Sequence, residues 1–492
     1  MAELDLTDNR EKRTLWWVYG ISFAYLILNA FCIAKEFFWL NLLPPFLLMV
    51  YMGITRLDKL ILFSVFLVPL SVNLASTEIN LGLSLPVEPL LGGILLLYVI
   101  RLLYNVRINR ELMKHPVTIA IVINLIWIFV TSMTSQMPIV SFKYLLARLW
   151  FIVPFYFIAF YMFKDFKNVR RFIWLYIIPL TIVIGYTLYM HSLYGFAEDP
   201  AHWVMSPFYN DHTAYGAALA MFFPGLIAFT FHSGYSNNIR IIAGLLLGLF
   251  VVALILSFTR AAWVSLAAAL GFYLILYFRI KWKLLVGVLL AIVVALIFSW
   301  SDIMMSLEQN RQDTSDDLAK HFESISNIST DASNLERINR WNSAFRMFEE
   351  KPILGFGPGT YSFMYAPYQL SNEKTIVSTN AGDMGNAHSE YIGPLAESGI
   401  LGVLSFLAVA ITIVATGWRL YLRLDKGPER AALLSVLMGI VTYLVHGTLN
   451  NFLDTDKASV PFWAFAAMLV AADIHYGKKT KEPEAAEESA AT

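Results

Sequence analysis

SNLERINRWNSAFRMFEEKPILGFGPGTY (Ser333–Tyr361) and NAHSEYIGPLAESGILG (Asn386–Gly402) lie within and at the end of the longest polar segment of an otherwise apolar chain. The second of them leads straight into a new apolar run. Two arginines, a histidine and a glycine-rich turn are concentrated in this segment, and the apolar remainder reads as the scaffold that holds it at a bilayer surface. The fold class follows from that contrast.

Of the 492 residues, 58% are hydrophobic and only 15% are charged, and the mean hydropathy is +0.59. Soluble domains carry about 25% charged residues, so the composition predicts an all-α polytopic membrane protein. The formal net charge is zero, and no basic stripe suggests nucleic acid. A single cysteine, Cys32, excludes an intramolecular disulfide framework and a cysteine metal site. The run 15–34 is too long for a signal-peptide core and has no evident cleavage site, so it reads as a retained first transmembrane helix. The polar tail 477–492 reads as disordered and cytoplasmic.

A spanning helix needs about 20 apolar residues, with a range of about 17–25. Candidates lie near 15–34, 37–54, 57–75, 86–104, 116–133, 147–163, 172–192, 213–231, 241–257, 261–278, 283–300, 391–417, 431–449 and 459–475. The second, which contains Pro44-Pro45, and the last are the weakest, which gives 12–14 helices. No internal repeat is visible. The expected organisation is a transmembrane bundle over 1–300, a large outer loop over 301–390, transmembrane helices over 391–476 and the tail. With the N-terminus inside, 24 of the 36 Lys and Arg fall on the inner side and 12 on the outer, 7 of the latter in the long loop. Both termini are therefore expected in the cytoplasm and the loop outside. The loop holds 13 Asp and Glu against those 7 basic residues, so any anion site on it must be local.

Within the loop, 333–350 reads as a helix, with Ser333 and Glu336 as a capping box and Pro352 as its stop. Ile338, Trp341, Phe345 and Phe348 form a stripe at roughly 100° per residue, expected to pack on the bundle. Arg337 then borders the stripe, while Arg340, roughly 120° from its centre, points more to solvent. Arg340 has an alternative reading as the i,i+4 partner of Glu336. GFGPG (Gly355–Gly359) lacks the Lys-Ser/Thr of a phosphate loop and reads as a structural turn. His388 stands where polar loop becomes helix; a helix N-terminus disfavours imidazolium, so a neutral ring there is suited to accept a hydroxyl proton. Its other reading is a cap, or a bond to Glu390. Arg260 in SFTRAAW and Arg148 in YLLARLWF are functional candidates or snorkelling cations. Asp211 and His212 of NDHTAYG, together with Glu390 and Glu397, are candidate supporting residues. Glu78, Glu88, Arg148, Asp211, His212, Arg260, His388, His446 and Asp454 all map near the outer interface, with mid-membrane positions almost free of charge. Ion-coupled transporters place their sites at the midplane, so this distribution suggests chemistry at the outer leaflet on an anionic lipid headgroup.

Arg337 and Trp341, then PILGFGPGTY, then NAHSEYIGPLAESGILG, preceded by FYNDHTAYGAALA and SFTRAAWVSL, resemble the O-antigen ligase/polymerase superfamily over roughly residues 205–405. The resemblance implies an inverting, metal-independent glycosyltransferase of the bacterial inner (cytoplasmic) membrane with no cofactor. It would move a glycan from undecaprenyl diphosphate to an acceptor hydroxyl, of a lipid A core, a glycan or a protein, at the periplasmic face. Carried over by motif, Arg337, Arg260 and Arg148 hold the diphosphate and His388 acts toward the acceptor. The family often has Asn after this histidine, where Ser389 stands here. An O-antigen ligase is the leading reading, with a polymerase or a protein O-oligosaccharyltransferase as close relatives. A lipid-linked glycan flippase is the alternative class; it should carry charged residues into the inner half of the bundle.

Overall fold

A computed structural model of the chain describes residues 2–74, 83–103, 109–280, 332–371 and 385–476, with the single positions 287, 294, 298, 299, 373, 374 and 378. Glu78, most of the apolar run 283–300, the loop segment 301–331 and the tail 477–492 lie outside the described residues. The chain divides into two compact units, Met1–Leu60 and Ile61–Thr492. The first contains α1 (Ala2–Ala34) and α2 (Leu43–Thr55), joined by a short 3-10 turn. That turn is tied to α1 by Asn29 Nδ2 donating to Asn41 Oδ1 at 2.8 Å.

Beyond α3 (Leu57–Leu67), which spans the division, the second unit contains α4 (Val87–Leu103), α5 (Arg110–Lys114), α6 (Pro116–Met133) and α7 (Pro138–Ile152). A π-helical turn, Val153–Ile158, continues α7 into α8 (Ala159–Met162). Then follow α9 (Phe166–Ser192), α10 (Glu198–Ala201), α11 (His212–Phe231), α12 (Asn237–Leu256) and α13 (Arg260–Tyr277). The loop contributes α14 (Ala332–Glu350) and α15 (Tyr361–Met364); α16 (Ile392–Arg423), α17 (Pro428–His446) and α18 (Asp456–Tyr476) close the chain. Among the described residues, eleven helices are long and apolar enough to cross a membrane. This is an all-α polytopic membrane protein. Its outer surface is apolar, as a bilayer requires: Leu245 is 72% exposed and Ile411 64%.

Local chemistry starts these helices where the apolar runs begin. Asn109, Asp165 and Asp211 cap α5, α9 and α11 with side-chain oxygens, and prolines open α6, α7 and α17. The last helix, among the weakest by apolarity, is the most buried. Every side chain from Asp456 to Ala472 is covered, and it packs against α7, α8, α11, α16 and α17. Its alanines and serine suit close helix packing rather than lipid contact. A lysine and an aspartate are buried at its start because they are partnered: Lys457 Nζ donates to Ser71 O at 2.8 Å and Ser71 Oγ at 2.6 Å, and Ser71 Oγ donates to Asp456.

Two expectations need correction here. Runs 57–75 and 86–104 are shorter helices, and the chain between them forms a minimal antiparallel pair, Val72 with Leu85 and Asn73 with Ser84. The expected helix 147–163 starts at Pro138, because Ser141 and Lys143 interrupt its apolarity without interrupting its backbone. Arg148 lies ten residues, about 15 Å, from the start of this helix, level with Glu390 and Leu453 just outside α16 and α18.

The start of α11, the start of α13, the start of α16 and the end of α17 share one end of the bundle: Thr259 bonds His212 O, Glu390 N donates to Gly447 O at 2.8 Å, and His446 lies within electrostatic reach of Asp211.

Candidate functional site at one end of the bundle

The loop folds on a small core of its own, in which Ala344 and Met347 of α14 meet Phe356, Tyr361, Tyr365, Ala387 and Ala396. GFGPG is the turn that clamps this core to the bundle. Phe356 N donates to Ala396 O at 3.1 Å, Gly357 N to Glu397 O at 2.8 Å, and Ser141 Oγ to Pro358 O at 2.9 Å. The tightest positions of this clamp must be glycine. At Gly357 (φ +118°) a Cβ would fall 1.9 Å from Ser135 Oγ, and at Gly399 (φ +67°), where α16 kinks, 2.1 Å from Ile353 O. Glu397 belongs to this clamp, its Oε1 accepting from Tyr361 N at 3.0 Å.

α14 turns a different face inward than its apolar stripe predicts. Glu336, Asn339, Arg340, Ser343, Ala344 and Met347 are buried, whereas Phe345 is 43% exposed and Ile338, Trp341 and Phe348 are half-buried. The buried face lies roughly 150° from the centre of the stripe at 100° per residue. Arg340, expected toward solvent, is thus only 7% exposed. The polar face can be buried because it is satisfied: Arg340 Nε donates to Glu336 Oε1 at 2.8 Å, and Asn339 Nδ2 to Gln369 Oε1 at 2.9 Å. The i,i+4 pairing of Arg340 with Glu336 holds. Ser333 falls inside the helix rather than at its cap, since α14 already includes Ala332.

His388 faces this polar side. Its backbone sits in the left-handed region (φ +46°), with its N–H donating to Asn386 Oδ1 at 3.0 Å. Arg340 NH1 reaches both Asn386 O (3.0 Å) and His388 Nε2 (3.3 Å). Burial, then Arg340 and Arg337, depress the imidazole pKa to about 4 against the opposing charges of Asp211 and Glu336. The ring is neutral at pH 7, through burial and two guanidinium groups rather than a helix terminus. His446, at the end of α17, lies within electrostatic reach of Asp211, Arg337 and His212. Asp211 caps α11 through Oδ1, which accepts from Thr213 N and Ala214 N, both at 2.8 Å. Arg260 opens α13 directly after Thr259, whose Oγ1 donates to His212 O at 2.8 Å. Gly216 makes that approach possible, since a Cβ there would meet Thr259 at 2.8 Å. Five candidates from three separate stretches, Asp211, His212, Arg337, Arg340 and His388, therefore converge, with Arg260 beside His212. His446 joins them; sequence reasoning placed it at this end of the bundle but gave it no role.

Residues 243–407, about one third of the chain, match the family model described as Wzy_C, O-antigen ligase. That segment is an O-antigen ligase-family domain. It carries Arg260, Arg337, Arg340, His388, Glu390 and Glu397, while Arg148, Asp211, His212 and His446 lie outside the match. The chain also resembles an uncharacterized protein of Haemophilus influenzae, 22% identical over 216 residues. That similarity spans 44% of this chain and 52% of the relative.

Arg148 and Glu390 form a second group. Arg148 donates from Nε and NH2 to Tyr144 OH (3.1 and 2.6 Å) and from NH1 to Leu453 O (2.9 Å). Glu390 Oε1 accepts from Tyr443 OH (2.6 Å), Phe452 N (2.8 Å) and Leu453 N (2.8 Å), and its Oε2 stands 3.8 Å from Arg148. A cavity of about 30 Å³ beside them, lined also by Glu397 and Trp463, has room for a water or two. Arg148 is thus committed to internal partners that brace the turn between α17 and α18, two residues along the chain from His388 through Glu390.

Proposed function

We propose that this protein is an O-antigen ligase-like glycosyltransferase of the bacterial inner membrane. It takes a glycan from undecaprenyl diphosphate, at the periplasmic face, and joins it to an acceptor hydroxyl such as that of a lipid A core. The observation that carries the reading is the convergence of Arg337, Arg260 and a neutral His388 at the bundle end that carries the long loop. Breaking the glycosidic bond builds negative charge on the departing diphosphate. Guanidinium groups at Arg337 and Arg260, the latter at a helix N-terminus, offset that charge. His388 is neutral at working pH and faces the acceptor, so it can take up the hydroxyl proton during a single displacement. Arg148, committed to Tyr144 and Leu453, supports the site instead of binding the diphosphate.

The charge balance at the outer face favours ligase over polymerase. A polymerase handles two diphosphate-linked lipids at once and needs a guanidinium set for each. Outer-face arginines are few and the loop around them is net acidic, which fits one diphosphate better than two. The test is transfer by purified protein, in detergent, from a diphosphate-linked lipid donor to a lipid A core acceptor. His388→Ala should abolish it while leaving membrane insertion normal, and full transfer by that variant would remove the histidine from the reaction. Gene deletion should leave long glycan chains on the carrier. Acceptor capped with a single repeat unit would instead identify a polymerase.

A further inference from the structure

Arg340 is held on every side. Glu336 Oε1 fixes its Nε at 2.8 Å, Asn386 O takes one NH1 hydrogen at 3.0 Å, and the Tyr365 ring lies 5.7 Å from its guanidinium carbon. Gly385 is pressed so close that a Cβ there would lie 2.6 Å from NH1. The other NH1 hydrogen points to His388 Nε2 at 3.3 Å. A guanidinium keeps its protons and has no acceptor, so only one role is left for Nε2. Its lone pair receives the arginine, and the ring proton of the neutral imidazole resides on Nδ1.

We infer that Arg340 is a positioning residue that holds His388 as the Nδ1–H tautomer with its Nε2 lone pair masked, so that the group the ring offers a ligand in this state is an N–H donor. The inference rests on the proposed function in taking His388 to face substrate. It changes what the histidine does there. An oxygen of the donor diphosphate, or of the acceptor hydroxyl, can accept from Nδ1–H with no rearrangement. Proton uptake at Nε2 requires the acceptor hydroxyl to displace Arg340 NH1 first, so acceptor binding itself would arm the base. The charges facing the ring are Arg340, Arg337 and Glu336 from α14 and Asp211 from the turn before α11. Removing Arg340 removes a like charge and a hydrogen bond to the neutral form together, and both changes make protonation of the ring easier.

Diethyl pyrocarbonate attacks the unprotonated lone pair of imidazole, so its rate at His388 reads this state without any glycan substrate. Full-length protein in detergent would be treated between pH 4 and 8 and the His388 peptide quantified by mass spectrometry, with exposed His202 as internal reference. In the wild type, His388 should react slowly and without a midpoint near 6.5. In R340Q it should react roughly ten- to hundred-fold faster, the range that one hydrogen bond to a charged group is worth, with a midpoint moved up toward 6.5. A wild-type His388 that titrates near 6.5 at the His202 rate overturns the inference. So does a folded R340Q whose rate is unchanged, because plain burial would then explain the slow reaction. Should R340Q fail to fold, R340K serves: it keeps the charge but loses the planar fork, and modification no faster than wild type overturns the masked lone pair. Wild-type protein that shows the expected modification but transfers no glycan sinks the proposed function alone.

Discussion

Replacing Glu390 separates two ways in which this carboxylate could hold the site. One oxygen accepts three short hydrogen bonds, from Tyr443 OH and the backbone N–H groups of Phe452 and Leu453, while the other stands 3.8 Å from Arg148. Glu390 is 4% exposed, so little water is at hand to replace what is lost. Alanine leaves the Tyr443 hydroxyl and the Leu453 N–H unsatisfied, each costing about 1–3 kcal/mol if nothing relaxes, while Phe452 N keeps the Tyr443 oxygen at 3.1 Å. It also leaves a buried guanidinium without its nearest carboxylate, and breaking such a pair costs about 3–5 kcal/mol in all. Glutamine keeps an oxygen for the three donors and loses only the charge, for which a contact as long as 3.8 Å suggests about 1–2 kcal/mol. Glu390→Ala should therefore destabilise the protein clearly more than Glu390→Gln. Thermal unfolding in detergent, followed by tryptophan fluorescence, suits the comparison because Trp463 lines the cavity beside Glu390 and Arg148. Transfer should fall with the alanine variant more steeply than with glutamine, since the backbone two residues from His388 loses its anchor. Equal loss in both variants would mean that the charge pair with Arg148 dominates, and the hydrogen-bond argument would be wrong. An alanine variant as stable as wild type would show that the anchor does not exist.

Arg337→Lys should be nearly as damaging to transfer as Arg337→Ala, because a point charge cannot reproduce bidentate diphosphate binding; a lysine variant with half the wild-type rate would refute that geometry. Acid should weaken the fold through His388. Its folded pKa of about 4 lies below the unfolded value of about 6.5, so the unfolded state binds the proton first. Stability should be level above about pH 6.5 and fall as pH drops toward 4, by at most about 1.4 kcal/mol per pH unit, and His388→Gln should flatten that part of a Tm-versus-pH curve. Gly399→Ala forces a Cβ into Ile353 O in a left-handed conformation and should cost about 2–4 kcal/mol or prevent folding, whereas Gly248→Ala, where the space is open, should be tolerated. Similar unfolding midpoints for those two variants would count against the clamped kink.

The bundle was legible because a run of about 20 apolar residues has few alternatives to a spanning helix. The alternation of helix direction then carried Asp211, Arg260, His388 and His446 to the same end without any knowledge of contacts. What apolar counting could not show is the orientation of α14. A rule that turns apolar residues inward turned Arg340 outward, yet this helix buries Glu336 and Arg340 together because each satisfies the other. The remaining partners, Asn386 O for Arg340 and Gln369 for Asn339, lie 46 and 30 residues away and leave no periodic trace. Arg148 shows a second gap. Its partner Leu453 lies 305 residues away, so nothing in the sequence distinguishes a headgroup ligand from an internal brace. Both cases concern arginines, and both bear on the chemistry in the same direction. Of four guanidinium groups that looked available to a diphosphate, two are engaged by the protein itself, one holding the histidine and one holding the turn between α17 and α18. A site whose arginines also fix its geometry depends on placement as much as on charge. Salt should therefore weaken donor binding while leaving the orientation of His388 intact, because Arg340 and Glu336 are buried away from mobile ions. A His388 modification rate that rises in step with ionic strength would show that this pair is not sequestered.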